Sequence, residues 1–187
     1  MNRRSLDSLV FGVTAACFFA GCATKPPPPP TPAKPKPPYT WNDTGQKGPC
    51  RIVINVSEPR VYFYRGDVIV GETRCSTGKK DFETVCGDYK VTQKNKDHVS
   101  NLYGNFVNEE GEIVQRDVDM SKMKVPDGCV FAGAKMPYYM RFHSGYGMHA
   151  GYVPNRPASH GCVRLPRVMA ERFFRNVEVG TPVIVCQ

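Results

Sequence analysis

Three residues near the C-terminal end of the chain have the types needed for thiol chemistry: His149, His160 and Cys162. A thiol attacks as its thiolate, so it needs a base or a positive environment. Cys162 lies in Ala158-Ser159-His160-Gly161-Cys162-Val163-Arg164-Leu165, with His160 two residues before it and His149 thirteen before it. Gly161 lets the backbone turn so that amide N–H groups converge on a developing oxyanion. Arg164 falls on the same side of an extended strand as Cys162, where it can hold a carboxylate. Residue types alone leave two readings open: a nucleophile with its base, or a structural cysteine in a loop that contains histidine.

The other cysteines bear on that choice. The chain has eight. Cys17 and Cys22 belong to the N-terminal segment, which leaves Cys50, Cys75, Cys86, Cys129, Cys162 and Cys186 in the domain. An even number in an exported domain points to a disulfide framework. Zinc is the other default, but there is no C-x₂-C pair, so no metal is expected. If Cys162 is a nucleophile, five cysteines remain, enough for at most two bridges. Cys50 and Cys186 lie at ends of strands expected to be neighbours and are one candidate pair.

The elements that must position these residues read as mostly β. Arg51-Ile-Val-Ile-Asn-Val, Val61-Tyr-Phe-Tyr and Val68-Ile-Val are β-branched or aromatic runs separated by turn residues, the pattern of a meander. Further strands are expected at Asp88–Gln93, Val130–Phe131, Tyr138–Phe142 and Thr181–Cys186. Met169, Phe173 and Val177 recur at helical spacing after Pro166, which suits a first turn, so one helix precedes the last strand. Residues 97–123 are polar and weakly patterned and read as a long loop or irregular insertion. His98, within it, reads as a surface residue, and His143, after a strand, as structural.

Ahead of this domain the sequence is of another kind. Asn2-Arg3-Arg4 is followed by an apolar stretch from Leu9 to Ala20, twelve residues long. That is too short for a bilayer span, which needs about 20 residues, and suits the core of a secretory signal. Phe19-Ala20-Gly21-Cys22 resembles the bacterial lipoprotein box, in which the cysteine is acylated. Lys25–Pro38 then holds nine prolines in fourteen residues. Proline has no N–H and a fixed φ, so this segment is a polyproline II spacer of roughly 40 Å. The expected organisation is a signal peptide at 1–21, a lipidated N-terminus and linker at 22–48, and one domain at 49–187. The formal charge of +8 is half in residues 1–38, and no basic stripe runs through the rest, so nucleic-acid binding is not expected.

The motif decides between the two readings of Cys162. Ser159-His160-Gly161-Cys162-Val163-Arg164-Leu165 closely resembles the active-site motif of bacterial L,D-transpeptidases, the YkuD family. Gly147-Met148-His149-Ala150 resembles its "I-H-G" element, with Ala150 where glycine is usual. Met136-Pro137-Tyr138-Tyr139-Met140-Arg141-Phe142, Ser76-Thr77-Gly78-Lys79, Thr84-Val85-Cys86-Gly87-Asp88-Tyr89 and Val179-Gly180-Thr181-Pro182-Val183 resemble further family segments, in order. The resemblance spans about residues 50–186.

It implies a mainly β, sandwich-like domain with one C-terminal helix. It also implies a reaction without a cofactor. Cys162 attacks the L-to-D bond of a peptidoglycan stem peptide, His149 is the base, and the carbonyl of Ala150 fixes the base's tautomer. Gly161 and Cys162 supply oxyanion N–H groups. His160 shapes the pocket or is the alternative base, and Arg164, Ser159 and Tyr138 contact substrate. An amine on a second stem, or on an envelope protein, accepts the acyl group. The runners-up are an L,D-carboxypeptidase or amidase on the same site and a non-catalytic wall-binding lipoprotein. Departures at Val85 and Cys86, with Cys75 just before the "S-T-G" turn, imply a Cys75–Cys86 bridge. Cys22 acylation with Ala23 after it implies an outer-membrane anchor facing the periplasm.

Overall fold

The computed structural model describes residues 38–187 apart from residue 155. The signal segment, Cys22 and most of the proline linker lie outside the described residues. The β-branched runs form the strands their period requires. In β2 (Cys50–Asn55) Ile52 and Ile54 are fully buried while Arg51 and Val53 are only half-buried, the alternation of a sheet with one covered face. β3 (Arg60–Arg65) pairs antiparallel with β2, and β4 (Val68–Arg74) antiparallel with β3, which continues the meander.

β1 (Tyr39–Trp41) pairs with β4, so strand structure begins ten residues ahead of residue 49. Its Trp41 lies 5.2 Å from the ring of Phe63 and 6.0 Å from that of Phe173. Gly71 makes room for it, since a Cβ there would stand 2.5 Å from the indole.

The first sheet has the order β1-β4-β3-β2-β11-β5, with β5 at Gly87–Lys90 and β11 at Pro182–Cys186. The second has the order β10-β9-β8-β6-β7. Here β6 spans Gln93–Asn108, β7 Ile113–Asp119, β8 Cys129–His143, β9 Tyr146–Ala150 and β10 Val163–Leu165. One core cluster takes Ile52, Val61 and Phe63 from the first sheet, and Met140, Met148 and Leu165 from the second. The helix α1 (Arg167–Asn176) adds Met169, Ala170 and Phe173, all fully buried. Pro166 sits at its N-cap and Val177 at its C-cap. The mainly β fold with one helix before the last strand is as expected.

Two expectations are corrected. Residues 97–123 are not a loop: they hold most of β6 and all of β7, a long antiparallel hairpin paired to β8. Val99, Ile113 and Val114 are exposed while Phe106 and Val118 are buried, so no regular apolar alternation marks it.

The bridges are the second. All six cysteines among the described residues are free. Parallel pairing of β11 with β2 sets Cys186 opposite Asn55, at the far end of β2 from Cys50. Five residues at about 3.3 Å each hold the two roughly 16 Å apart. Cys75 and Cys86 follow β4 and precede β5, strands four positions apart in the sheet. At about 4.8 Å per step that is roughly 19 Å. Cys75 is instead a core thiol, and burial pushes its pKa up to about 12.

Candidate active site

Parallel pairing of β10 with β9 brings the two halves of the motif together. Arg164 is opposite His149 and Val163 opposite Met148. Cys162 and His149 line the same cavity, of about 1020 Å³, with His160 and Arg164. Cys162 is 9% exposed and His149 6%. Nδ1 of His149 lies 2.9 Å from the carbonyl oxygen of Ala150. Nδ1 therefore carries the hydrogen, and Nε2 keeps its lone pair for the cavity. This is the contact expected of Ala150, and the change from glycine leaves its carbonyl in use.

Burial sets the charge states. It is the largest influence on His149 and pushes its pKa down to about 4, against the bond to Ala150, which raises it. Burial also raises the Cys162 thiol, opposed by a backbone hydrogen bond from Gly147 and by the charges of Arg164 and Arg141. At neutral pH the free cavity is therefore lined by a neutral imidazole and a thiol.

The Ser159–Cys162 turn is held from both sides. Ser159 Oγ donates to the carbonyl of Cys162 at 2.5 Å and accepts from the N–H of Gly161 at 3.1 Å. Two sequence expectations change here. Gly161 N–H is committed to Ser159, so it is no oxyanion donor in this arrangement, and the N–H of Cys162 is left for that role. Ser159, 2% exposed, closes the loop with its hydroxyl rather than offering it to a ligand. Gly161 is needed for shape: its φ is +104° and a Cβ would stand 2.3 Å from the Tyr146 ring.

The secondary motifs are the cradle of this turn. Ser76 exchanges backbone bonds with Arg164 at 3.0 and 2.9 Å, and Thr77 O accepts from Ala158 and Ser159. Thr84 Oγ1 accepts from Gly78 N–H at 3.0 Å and donates to Gly161 O at 2.9 Å. Gly78 has no room for a side chain, since a Cβ would stand 1.8 Å from the Phe82 carbonyl.

Several cavity residues come from the hairpin, where no local motif marks them, and from β8. Tyr103 stacks on His160 with centroids 4.2 Å apart and planes within 8°. Phe82 meets His160 edge-on at 4.7 Å. Asp117, on β7, lies 3.9 Å from His160 and 3.5 Å from Lys79. Its φ of +53° is rare for a residue with a Cβ. His98, expected at the surface, stacks on Tyr139 at 4.2 Å and lines the cavity, as does His143. Tyr138, expected on the substrate channel, is buried in the core against Phe174, at 5.8 Å. Its neighbour Tyr139 faces the cavity. Adjacent strand residues point to opposite faces, and the sequence did not say which way this pair was turned. Among the described residues no three His, Cys, Asp or Glu side chains converge as a metal site.

A two-sheet β domain with a cysteine and a tautomer-fixed histidine in one cleft has the layout of a nucleophile-and-base enzyme. The model of the L,D-transpeptidase catalytic domain matches residues 49–185, and the chain belongs to that family, YkuD. Similar solved structures include an L,D-transpeptidase from Mycobacterium smegmatis. Its TM-score is 0.55 and its identity 17%, over 73% of this chain and 58% of that one. L,D-transpeptidase 1 of Mycobacterium tuberculosis has a TM-score of 0.54 and 20% identity, over 74% and 62%. An Enterococcus faecium L,D-transpeptidase has a TM-score of 0.53 and 22% identity, over 74% and 50%. The chain thus spans half to about three fifths of the length of these chains, and the likeness is one of fold. No curated protein matches the chain in sequence.

Proposed function

We propose that the protein is an exported peptidoglycan L,D-transpeptidase with Cys162 as nucleophile and His149 as general base. The observation that carries this is the pairing of β9 with β10, which sets a buried thiol under Gly147 N–H and on the same cavity as an imidazole whose Nδ1 is held by Ala150. A base with a pKa of about 4 does not ionise a raised thiol in advance. Proton transfer to Nε2 therefore accompanies the attack of Sγ on the stem carbonyl. The N–H of Cys162 donates to the oxyanion. The tetrahedral intermediate collapses by breaking the C–N bond, and His149 returns the proton to the departing D-amino acid. A thioester on Cys162 remains. An amine acceptor attacks it, passes its proton to His149, and leaves with the acyl group, which restores the thiol.

The export part of the reading rests on sequence: the signal core, Cys22 with Ala23, and the proline spacer. Acylated Cys22 holds the domain on the outer membrane, facing the periplasm. The test is incubation with a purified disaccharide-tetrapeptide, followed by mass analysis. A cross-linked dimer is the expected product. A trimmed tripeptide alone makes the enzyme an L,D-carboxypeptidase, and no change overturns the catalytic reading. One solved L,D-transpeptidase is in complex with imipenem. A carbapenem, whose strained carbonyl offers the same electrophile, is accordingly expected to leave one adduct on this protein, absent in Cys162→Ala.

A further inference from the structure

Arg141 sits on β8 opposite Gly147 of β9, the residue whose backbone bonds the Cys162 sulfur. On its other side it pairs with Gln93 of β6, and its carbonyl accepts from Thr92 at 2.8 Å. The backbone under this guanidinium is therefore fixed in the middle of the second sheet. The side chain lines the cavity, and its charge acts on the Cys162 thiol, as does that of Arg164. Its polar contact is the Tyr139 hydroxyl, which itself donates to the Gly145 carbonyl at 3.2 Å. No carboxylate among the described residues pairs with Arg141, and its Nε is buried with no acceptor. A buried donor left without a partner is costly, and a cation in a cleft without an anion is a second cost.

The rest of the cavity lining does not neutralise it. Arg116, Lys135 and Arg164 add three cations, and Asp117 is the one carboxylate. Asp117 is already shared between Lys79 and His160. Histidines 98, 143, 149 and 160 complete the titratable lining apart from its tyrosines and Cys162. The guanidinium groups on β8 and β10 thus flank the strand that carries His149 and stand ready for anions.

We propose that Arg141 is an anion-anchoring residue of this cavity, which together with Arg164 selects peptide substrates carrying free carboxylates near the bond that Cys162 attacks. The choice of peptide rests on the transpeptidase reading above; the anion site does not. Two arms of one experiment keep them apart. In the first, the full chain is alkylated with iodoacetate or iodoacetamide, and each cysteine is read by peptide mass spectrometry. The two reagents need the same thiolate, so their rate ratio removes the thiol pKa and reports the cavity's preference for an anion. Exposed Cys86 is the internal reference. The iodoacetate-to-iodoacetamide ratio at Cys162 is expected to exceed that at Cys86 by roughly tenfold. Arg141→Gln should remove most of the excess, and Arg141→Lys, which keeps the charge, should retain it. If Arg141→Gln fails to fold, the wild-type comparison of Cys162 with Cys86 still decides. Equal ratios at the two cysteines, or a Cys162 ratio unmoved in a folded Arg141→Gln, overturn the proposal.

In the second arm, Cys162→Ala is titrated with a tetrapeptide stem, either with free carboxylates or with them amidated. The free acid should bind about tenfold more tightly, and Arg141→Gln should weaken the acid form alone. Anion preference in the first arm with no stem binding in the second keeps the anion site and removes the peptidoglycan reading. Equal binding of acid and amide removes the selection proposed here.

Discussion

The imidazole of His149 is held neutral by burial, and that has a measurable consequence. Its pKa of about 4 in the folded protein lies below the ordinary value of 6.5. Between those values the unfolded chain binds the extra proton and the folded one does not. Stability is therefore full above about pH 6.5 and declines as pH falls toward 4, by on the order of 3 kcal/mol from this residue. His98 and His160 are also lowered, by burial first, and add to the same slope. Urea midpoints across this range should drop for the wild type, with a shallower drop in His149→Asn; parallel curves would contradict the assignment. Activity should likewise persist below pH 6.5 rather than halve there. His149→Ala is expected to lose about 100-fold or more in kcat and His160→Ala less, because the His160 ring is engaged by Tyr103, Phe82 and Asp117. The reverse order in single-turnover assays would exchange their roles.

At the scale of elements, the hairpin β6–β7 meets His160 of the Ser159–Cys162 turn through the Tyr103 ring and Asp117. Tyr103→Ala removes the stacked face of His160 and is expected to lower kcat/KM several-fold while the melting temperature falls by only a few degrees. Loss of turnover with no change at all in KM would contradict a role for the hairpin in substrate binding. This element is also where the sequence was least legible. β2, β3 and β11 are β-branched or aromatic runs with buried residues over the core, and α1 repeats Met169 and Phe173, so composition and periodicity mark them. The hairpin buries Phe106 and Val118, exposes Val99, Ile113 and Val114, and lines a polar cavity, so nothing in its pattern distinguishes it from a loop. The contiguous turn from Ser159 to Arg164 was legible for the opposite reason, because its residues meet through local backbone. Arg141, His98 and Tyr103 reach the same cavity only through strand pairing far from that turn.

For the whole molecule, one cluster joins both sheets to the helix, and six free cysteines leave that cluster to carry the stability. Phe173, fully buried and 5.2 Å from Phe63, is a measure of it: Phe173→Ala should cost about 3–5 kcal/mol in chemical denaturation. The anchoring proposed for the N-terminal segment has its own test. Wild-type protein in cells should fractionate with the outer membrane and take up a fatty-acid probe, whereas Cys22→Ser should do neither. Recovery of unlabelled wild type in the soluble periplasm would replace the anchor with an ordinary cleaved signal.

The central claim is that Cys162 carries the stem as a thioester. Its most direct test is intact-protein mass spectrometry after brief mixing with disaccharide-tetrapeptide. The expected result is an adduct equal in mass to the muropeptide less its terminal amino acid, mapped to Cys162 and absent in Cys162→Ala. Product formation that continues in Cys162→Ala, or an adduct on any other residue, would contradict it.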